Sequence, residues 1–265
     1  MEKYFENKLS YNRVSFCFTD KPTIDEREIH SYHEILLYFD GDVELYTTEW
    51  RGILKKPSVL IIPEGSYHFL KPRHLPEFTR IKISFPPDMP DDTPLSAIMN
   101  YMHIIDDPNE EILRACNKLR DVMQSKSNYS AFYAYSAFLT LISELSMLDS
   151  KEARDAYKAK NNQLLPICDY ISKNLSGRLD IRSISRTVHI SESGITHLFK
   201  KEFCIPIHQY VLQKRLVYAK KLIESGEQLT KVFSDVGFRD YSSFYKAYTN
   251  FFGYAPSKDK HKRKQ

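Results

Sequence analysis

Cysteine is scarce and scattered in this 265-residue chain. The four, Cys17, Cys116, Cys168 and Cys204, include no Cys-x-x-Cys pair. That excludes a disulfide framework and a cysteine-built zinc cluster, and it fits free thiols in a reducing compartment. Long apolar runs are missing too. No stretch approaches the roughly 18 residues that cross a bilayer, and the opening MEKYFENKLSYNR lacks the apolar segment of a signal peptide. A cytoplasmic chain is expected, with no membrane partner. Extreme polarity is also absent. Charged residues make up 27% and hydrophobic ones 42%, which supplies real cores and excludes wholesale disorder. The length leaves room for two domains.

Charge is divided unevenly. Residues 163–265 hold 18 Lys/Arg against 9 Asp/Glu, giving +9, and residues 1–162 hold 20 against 25, giving −5. Together these make the net +4. A basic C-terminal part on an acidic remainder is the electrostatic footprint of a nucleic-acid binder.

The basic part carries the clearest pattern. In 229–256, Leu229, Val232 and Phe233 space a short helix that runs into Val236-Gly237-Phe238. Gly237 stands where the turn needs a positive φ, which glycine adopts cheaply. Asp240 can cap a second helix, in which Phe244, Tyr248, Phe251 and Phe252 form the apolar face. Arg239, Ser242, Ser243, Lys246 and Asn250 are left outside, a set suited to phosphates and base edges. Gly253 ends this helix, and Pro256 can start the next. A looser copy lies upstream: Asp180 caps a helix with Ile181, Ile184 and Val188, His189-Ile190 turns, and Ser191 caps a helix with Ile195, Leu198 and Phe199 inward. Ser193, Thr196, His197, Lys200 and Lys201 remain outside. Between the copies, Leu212, Leu216, Ala219 and Ile223 form a helical stripe. A helix over about 207–224 spans roughly 27 Å, the right order for placing two recognition helices in major grooves about 34 Å apart. Two ordinary hairpins of an all-helical bundle are the bland alternative, and the charge asymmetry weighs against it.

On these residues the chain resembles the AraC/XylS-type transcriptional regulators, over about 163–262 and in both copies. Val236-Gly237-Phe238, Asp240, Ser242, Phe244, Lys246, Gly253 and Pro256 fall at the family's spacing. So do Ile184, Ser191, Leu198, Phe199, Lys200, Lys201, Tyr210, Arg215 and Ala219. Four positions depart from the pattern. Phe233 replaces a small residue, Cys204 a glycine, Asp259 an aromatic and Lys260 an arginine. The resemblance implies an all-α DNA-binding domain at 163–265, with helix-turn-helix motifs at about 181–202 and 229–252 joined by a long helix. By family register Ser193, Thr196 and His197, then Ser242, Ser243 and Lys246, face the groove floor. Lys200, Lys201, Arg239 and Lys246 serve phosphates. His197 is the expected discriminating reader of the first helix, because short hydroxyls read bases ambiguously.

Residues 28–85 alternate and are rich in β-branched and aromatic side chains. Ile81, Ile83 and Phe85 share one face, with Arg80, Lys82 and Ser84 on the other. Val43, Leu45 and Thr47 alternate likewise, and Val59–Ile62 is a buried-strand run. Gly41, Pro57, Pro63-Glu64-Gly65 and Lys71-Pro72 punctuate the region. This predicts a small antiparallel barrel or sandwich. Two fragments resemble cupin motifs: His30-x3-Glu34-x6-Gly41 and Pro63-x-Gly65-x-x-His68. In metal cupins His30, Glu34 and His68 would be ligands. Glu28 stands where a further histidine is normal, so no metal and no cofactor are expected. His30, Glu34, Tyr38 and His68 are instead expected to line the pocket of a small organic effector.

Two helices are predicted at 108–126 and 129–149. The first carries Ile112, Leu113, Cys116, Leu119 and Val122–Met123. The second carries Phe132, Tyr135, Phe138, Leu139, Leu141–Ile142 and Leu145, and it is apolar over more than one face, which favours dimerisation over mere cover. The expected organisation is α+β: a cupin-like barrel at 1–105, a helical dimerisation region at 106–150, a polar linker at 151–162 and the DNA-binding domain. The expected function is a homodimeric regulator without catalytic residues that binds promoter or operator DNA, and the resemblance leans to activation. The rivals are a metal-dependent cupin enzyme fused to a DNA-binding module and a ligand-independent regulator. A DNA-repair methyl acceptor is excluded, since the cysteines are too dispersed for the zinc-activated cluster it needs.

Overall fold

A computed structural model describes residues 5–20, 27–48, 50–73, 78–89, 98–99, 102–148, 164–177 and 179–264. The chain forms two compact units, whose main bodies are Tyr32–Lys160 and Asn161–Gln265. The expected linker, 151–162, lies outside the described residues.

Among its described residues, the N-terminal unit has ten antiparallel strands in two sheets. The six-stranded sheet runs in the order β1 (Glu6–Tyr11), β2 (Val14–Thr19), β9 (Thr79–Phe85), β4 (His33–Asp40), β7 (Ser58–Ile62) and β10 (His103–Ile105). The four-stranded sheet runs β3 (Arg27–Glu28), β8 (His68–Pro72), β5 (Val43–Thr47) and β6 (Arg51–Ile53). The fold is α+β, but the described strands close no barrel. Of the two expected forms, barrel or sandwich, the strand order gives two open sheets. The β1–β2 hairpin was not expected. Its signal is the alternation Val14-Ser-Phe-Cys-Phe-Thr, which buries Val14, Phe16 and Phe18.

One face of the six-stranded sheet carries Phe16, Phe18, Ile35, Leu37, Ile81, Ile83 and Phe85. It joins one core with two helices, α1 (Glu110–Gln124) and α2 (Ser130–Ser146). Asn109 caps α1 by accepting from the Ile112 N–H at 2.9 Å. Of the expected α2 stripe, Phe138, Leu141, Ile142 and Leu145 are buried, whereas Phe132 and Leu139 are 51% and 48% exposed. The reverse face of the sheet contributes Leu36, Tyr38, Leu60 and Ile62 to a second core with Val43, Leu45 and Leu70 of the smaller sheet. Arg80, in register with Thr19 and Tyr38, lies on this inter-sheet face and is buried.

The second unit is all helical: α3 (Leu164–Lys173), α4 (Ile181–Val188), α5 (Glu192–Glu202), α6 (Ile207–Glu224), α7 (Leu229–Asp235), α8 (Tyr241–Phe252) and a 3₁₀ helix, Pro256–Lys264. In α6, Leu216, Ala219 and Ile223 are buried as the stripe requires, but Leu212 is 37% exposed. Tyr210, Gln213 and Lys220 are buried in its place. The stripe therefore winds round the helix instead of following one edge. Leu216, Ala219 and Ile223 share a core with Val232, Val236, Phe244 and Tyr248.

The family departures have specific consequences. Cys204 keeps the left-handed backbone, at φ 57°, which costs a non-glycine residue about 1 kcal/mol. Asp259 is buried at 1% exposure and accepts a hydrogen bond from the Tyr248 hydroxyl at 2.6 Å. The Tyr254 hydroxyl lies 3.3 Å from the same carboxylate. A buried carboxylate needs such donors, so a polar cluster closes the C-terminus in place of an aromatic contact.

Candidate nucleic-acid interface

Capping fixes where α5 and α8 begin. The Ser191 side chain accepts from the Gly194 N–H at 3.1 Å, and Asp240 accepts from the Ser243 N–H at 2.8 Å. Asp180 does the same for α4 through Ser183. Each of these satisfies an otherwise orphaned helix donor. The Asp240 carboxyl is held below its ordinary range, first by the Ser243 N–H and then by the Ser243 hydroxyl. Left-handed residues make the bends before and after: His189 at φ 57°, Gly237 at 81° and Gly253 at 77°.

Gly237 is constrained twice. A Cβ there would lie 2.6 Å from an Arg215 guanidinium nitrogen and 2.7 Å from the Leu175 carbonyl oxygen. Arg215 donates to three carbonyls: Leu175 at 3.0 Å, Gly237 at 2.9 Å and Gly177 at 2.7 Å. One half-buried side chain of α6 thus ties the segment after α3 to the turn between α7 and α8.

The structure leaves all nine expected DNA-facing residues exposed, on or beside two capped helices: Ser193, Thr196, His197, Lys200 and Lys201 on α5, Ser242, Ser243 and Lys246 on α8, and Arg239 just before it. They are not equally available. The Thr196 hydroxyl donates to the Glu192 carbonyl at 2.9 Å, and Ser243 donates to the Asp240 carboxylate at 2.8 Å. The Ser193 and Ser191 hydroxyls lie 3.3 Å apart, and Lys201 lies 3.4 Å from Glu202. Such local bonds occupy short hydroxyls. The exposed set also includes two residues missed from the sequence, Tyr241 at 39% and Tyr245 at 41%.

A model of a helix-turn-helix domain matches residues 184–262. This segment is a helix-turn-helix domain. The chain is 30% identical over 125 residues to the Msm operon regulatory protein of Streptococcus mutans, covering 47% of this chain and 44% of that protein. It is 33% identical over 105 residues to the probable transcriptional regulator LumQ of Photobacterium leiognathi, covering 39% and 42%. The chain thus spans about half the length of the curated relatives it matches. A crystal structure of ToxT from Vibrio cholerae aligns over 97% of this chain and 96% of its own at 11% identity, with a TM-score of 0.42, which is too low to carry an argument. By name the first is an operon regulatory protein and the second a probable transcriptional regulator. Within the matched segment, α5 follows α4 and α8 follows α7 across short turns.

The expected pocket residues lie in the N-terminal part. His30, Glu34, Tyr38 and His68 are all buried. His30, Glu34 and His68 each offer a ligand atom, all within 4.8 Å of one another, and Glu34 lies 3.7 Å from His68. Burial pushes the His68 imidazole below its ordinary range, while Glu34 pulls it back. A neutral imidazole and a carboxylate suit a metal and equally suit hydrogen bonds to a polar ligand. Tyr38 is wholly buried, and its hydroxyl has no hydrogen-bond partner among the described residues. Its pKa is pushed up by burial and by Asp40 and Asp42, so the hydroxyl stays a donor. Its ring lies 5.8 Å from Phe78, and the Arg80 guanidinium lies 4.7 Å from the Phe78 ring.

No helix among the described residues is long and apolar enough to cross a membrane.

Proposed function

We propose that this chain is a sequence-specific DNA-binding transcription regulator, an activator that responds to a small organic ligand. The observation that carries this reading is the pair of capped helices, α5 and α8, which expose His197, Lys200, Arg239, Ser242 and Lys246 on a basic unit. Helix start, turn and outer-face chemistry all agree with entry into a major groove. His197 reads bases in the first motif, and the lysines and Arg239 neutralise phosphates. The test is selection from a randomised DNA library with wild type and His197→Ala. One half-site should lose preference at a single position, and preference unchanged everywhere removes His197 from this role.

The N-terminal unit (1–105, with helices over 106–150) senses the effector through His30, Glu34, Tyr38 and His68, and residues 151–162 link it to the AraC-type domain. The protein pairs with itself through α2. Tyr11, Asn12, Phe132, Tyr135, Ser136 and Leu139 line an open groove of that unit. Phe132, Tyr133 and Leu139 are exposed apolar side chains of α2, whose one charged residue, Glu144, lies near its C-terminal end, so the same patch meets itself. The reading includes no catalysis and a cytoplasmic location.

The grouping of His30, Glu34 and His68 favours a second reading, a metal-dependent cupin enzyme fused to the DNA-binding domain. Metal analysis of the purified protein separates the two. Stoichiometric metal that is lost in His68→Ala would establish the second.

A further inference from the structure

Phe233 is bulky where the family has a small residue, and the structure shows what its ring supports. It lies on α7, partly buried, and meets Tyr241 of α8 edge to face at 6.1 Å. Tyr241 is the first residue of α8, and it also packs at 6.0 Å from Phe244, whose ring is fully buried. Tyr245, one turn further on, lies 6.1 Å from Tyr241. Three rings thus run from the helix-turn-helix core to the exposed surface. Aromatic pairs at these separations favour one another and fix ring position.

The two tyrosines present ring surface to solvent. Both are about two-fifths exposed, although the buried side of α8 is fully occupied by Phe244 and Tyr248. Successive residues of a helix advance by about 100°, which places Tyr241 and Tyr245 at the exposed margin of the apolar face, with Tyr245 next to the outer face of Ser242 and Lys246. Lys246 and Arg239 are the exposed cations around them, and Asp240 is spent on the cap. An apolar flank bordered by cations at the N-terminal end of a recognition helix matches a major-groove edge, where phosphates frame the bases. The apolar feature of that groove is the thymine C5-methyl group.

We infer that Tyr245, propped by Tyr241 and Phe233, reads thymine methyl groups in the half-site bound by the second helix-turn-helix motif. Tyr245 is the contacting residue, and Tyr241 and Phe233 are positioning residues. The inference rests on the DNA-binding reading above and adds a specificity element to it. It also explains how α8 discriminates, since Ser243 is engaged by Asp240 and Ser242 alone reads ambiguously.

Replacing thymine by deoxyuridine deletes only that methyl group. The full chain is titrated against a duplex enriched from a randomised library, then against duplexes with each thymine replaced in turn. In the second half-site, at least one replacement should weaken binding about fourfold, the worth of one buried methyl-sized group. Tyr245→Ala should bind thymine and uracil duplexes equally, and Tyr245→Phe should keep the ratio. Phe233→Ala, with folding verified by circular dichroism, should shrink the ratio while leaving the salt dependence unchanged. A flat uracil scan in wild type on a selectively bound duplex overturns the methyl reading alone. So does a thymine-to-uracil ratio that survives Tyr245→Ala. A chain that enriches no duplex overturns both this inference and the regulator reading beneath it.

Discussion

Gly237→Ala would test whether the second motif depends on the Arg215 clamp. Two costs arise at this one position. The backbone sits at φ 81°, where a side chain costs about 1–2 kcal/mol. The new Cβ would also stand 2.6 Å from the Arg215 guanidinium and 2.7 Å from the Leu175 carbonyl, so the guanidinium or the backbone must move. Losing one of the three charged hydrogen bonds of Arg215 costs about 1.5–3 kcal/mol. The sum, about 2.5–5 kcal/mol, is a large share of an ordinary domain's stability. Gly253→Ala is the control: its φ is 77°, yet nothing lies within 4 Å of the added carbon, so only the backbone cost of about 1–2 kcal/mol applies. Urea unfolding of the three proteins should give midpoints in the order wild type, Gly253→Ala, Gly237→Ala, with unchanged slopes. Equal midpoints for the two variants would refute the clamp.

Other outcomes follow from the same geometry. Lys246→Ala should weaken binding to all DNA sequences and reduce the slope of log affinity against log salt by about one. An unchanged slope moves Lys246 away from the phosphates. Leu139→Glu places a charge on a half-exposed position, so the chain should fold but sediment as a monomer and bind a two-site operator poorly. A wild type that is monomeric at every concentration and on DNA would sink the self-pairing. Because the folded pKa of Asp240 lies below its ordinary 3.8, its stabilising effect is complete above that value and fades as pH falls through the folded pKa. Asp240→Asn should lose this acid-dependent part while keeping the cap. Identical acid unfolding curves for the two proteins would show that the carboxylate is irrelevant.

The second unit was legible in the sequence because its signals are local. Asp180, Ser191 and Asp240 cap where their spacing predicts, and Gly237 and Gly253 take positive φ where a turn requires it. Burial of Phe244 and Tyr248 follows from period alone. Less was visible in the first unit. Alternation in β9 separates Ile81, Ile83 and Phe85 from Arg80, Lys82 and Ser84, yet it cannot say that a second sheet covers the polar face and buries Arg80. In α2, a helix apolar all round hides which side meets the sheet, so Phe132 and Leu139 looked the same as Phe138 and Leu141. On the expected DNA-facing surface, the family register pointed to Thr196 and Ser243, and it could not show that their hydroxyls donate within their own helices and caps. Tyr241 and Tyr245 were passed over because aromatic residues in a helix default to core.

The central claim is that α5 and α8 enter the major groove together. Hydroxyl-radical footprinting of the purified full chain on a duplex enriched from a randomised library tests it most directly. Protection over two segments, centred about one helical turn or roughly 34 Å apart, with the second segment lost in Lys246→Ala plus Tyr245→Ala, is the predicted result. Protection of a single segment that survives those substitutions, or no enrichment above non-specific DNA, would contradict it.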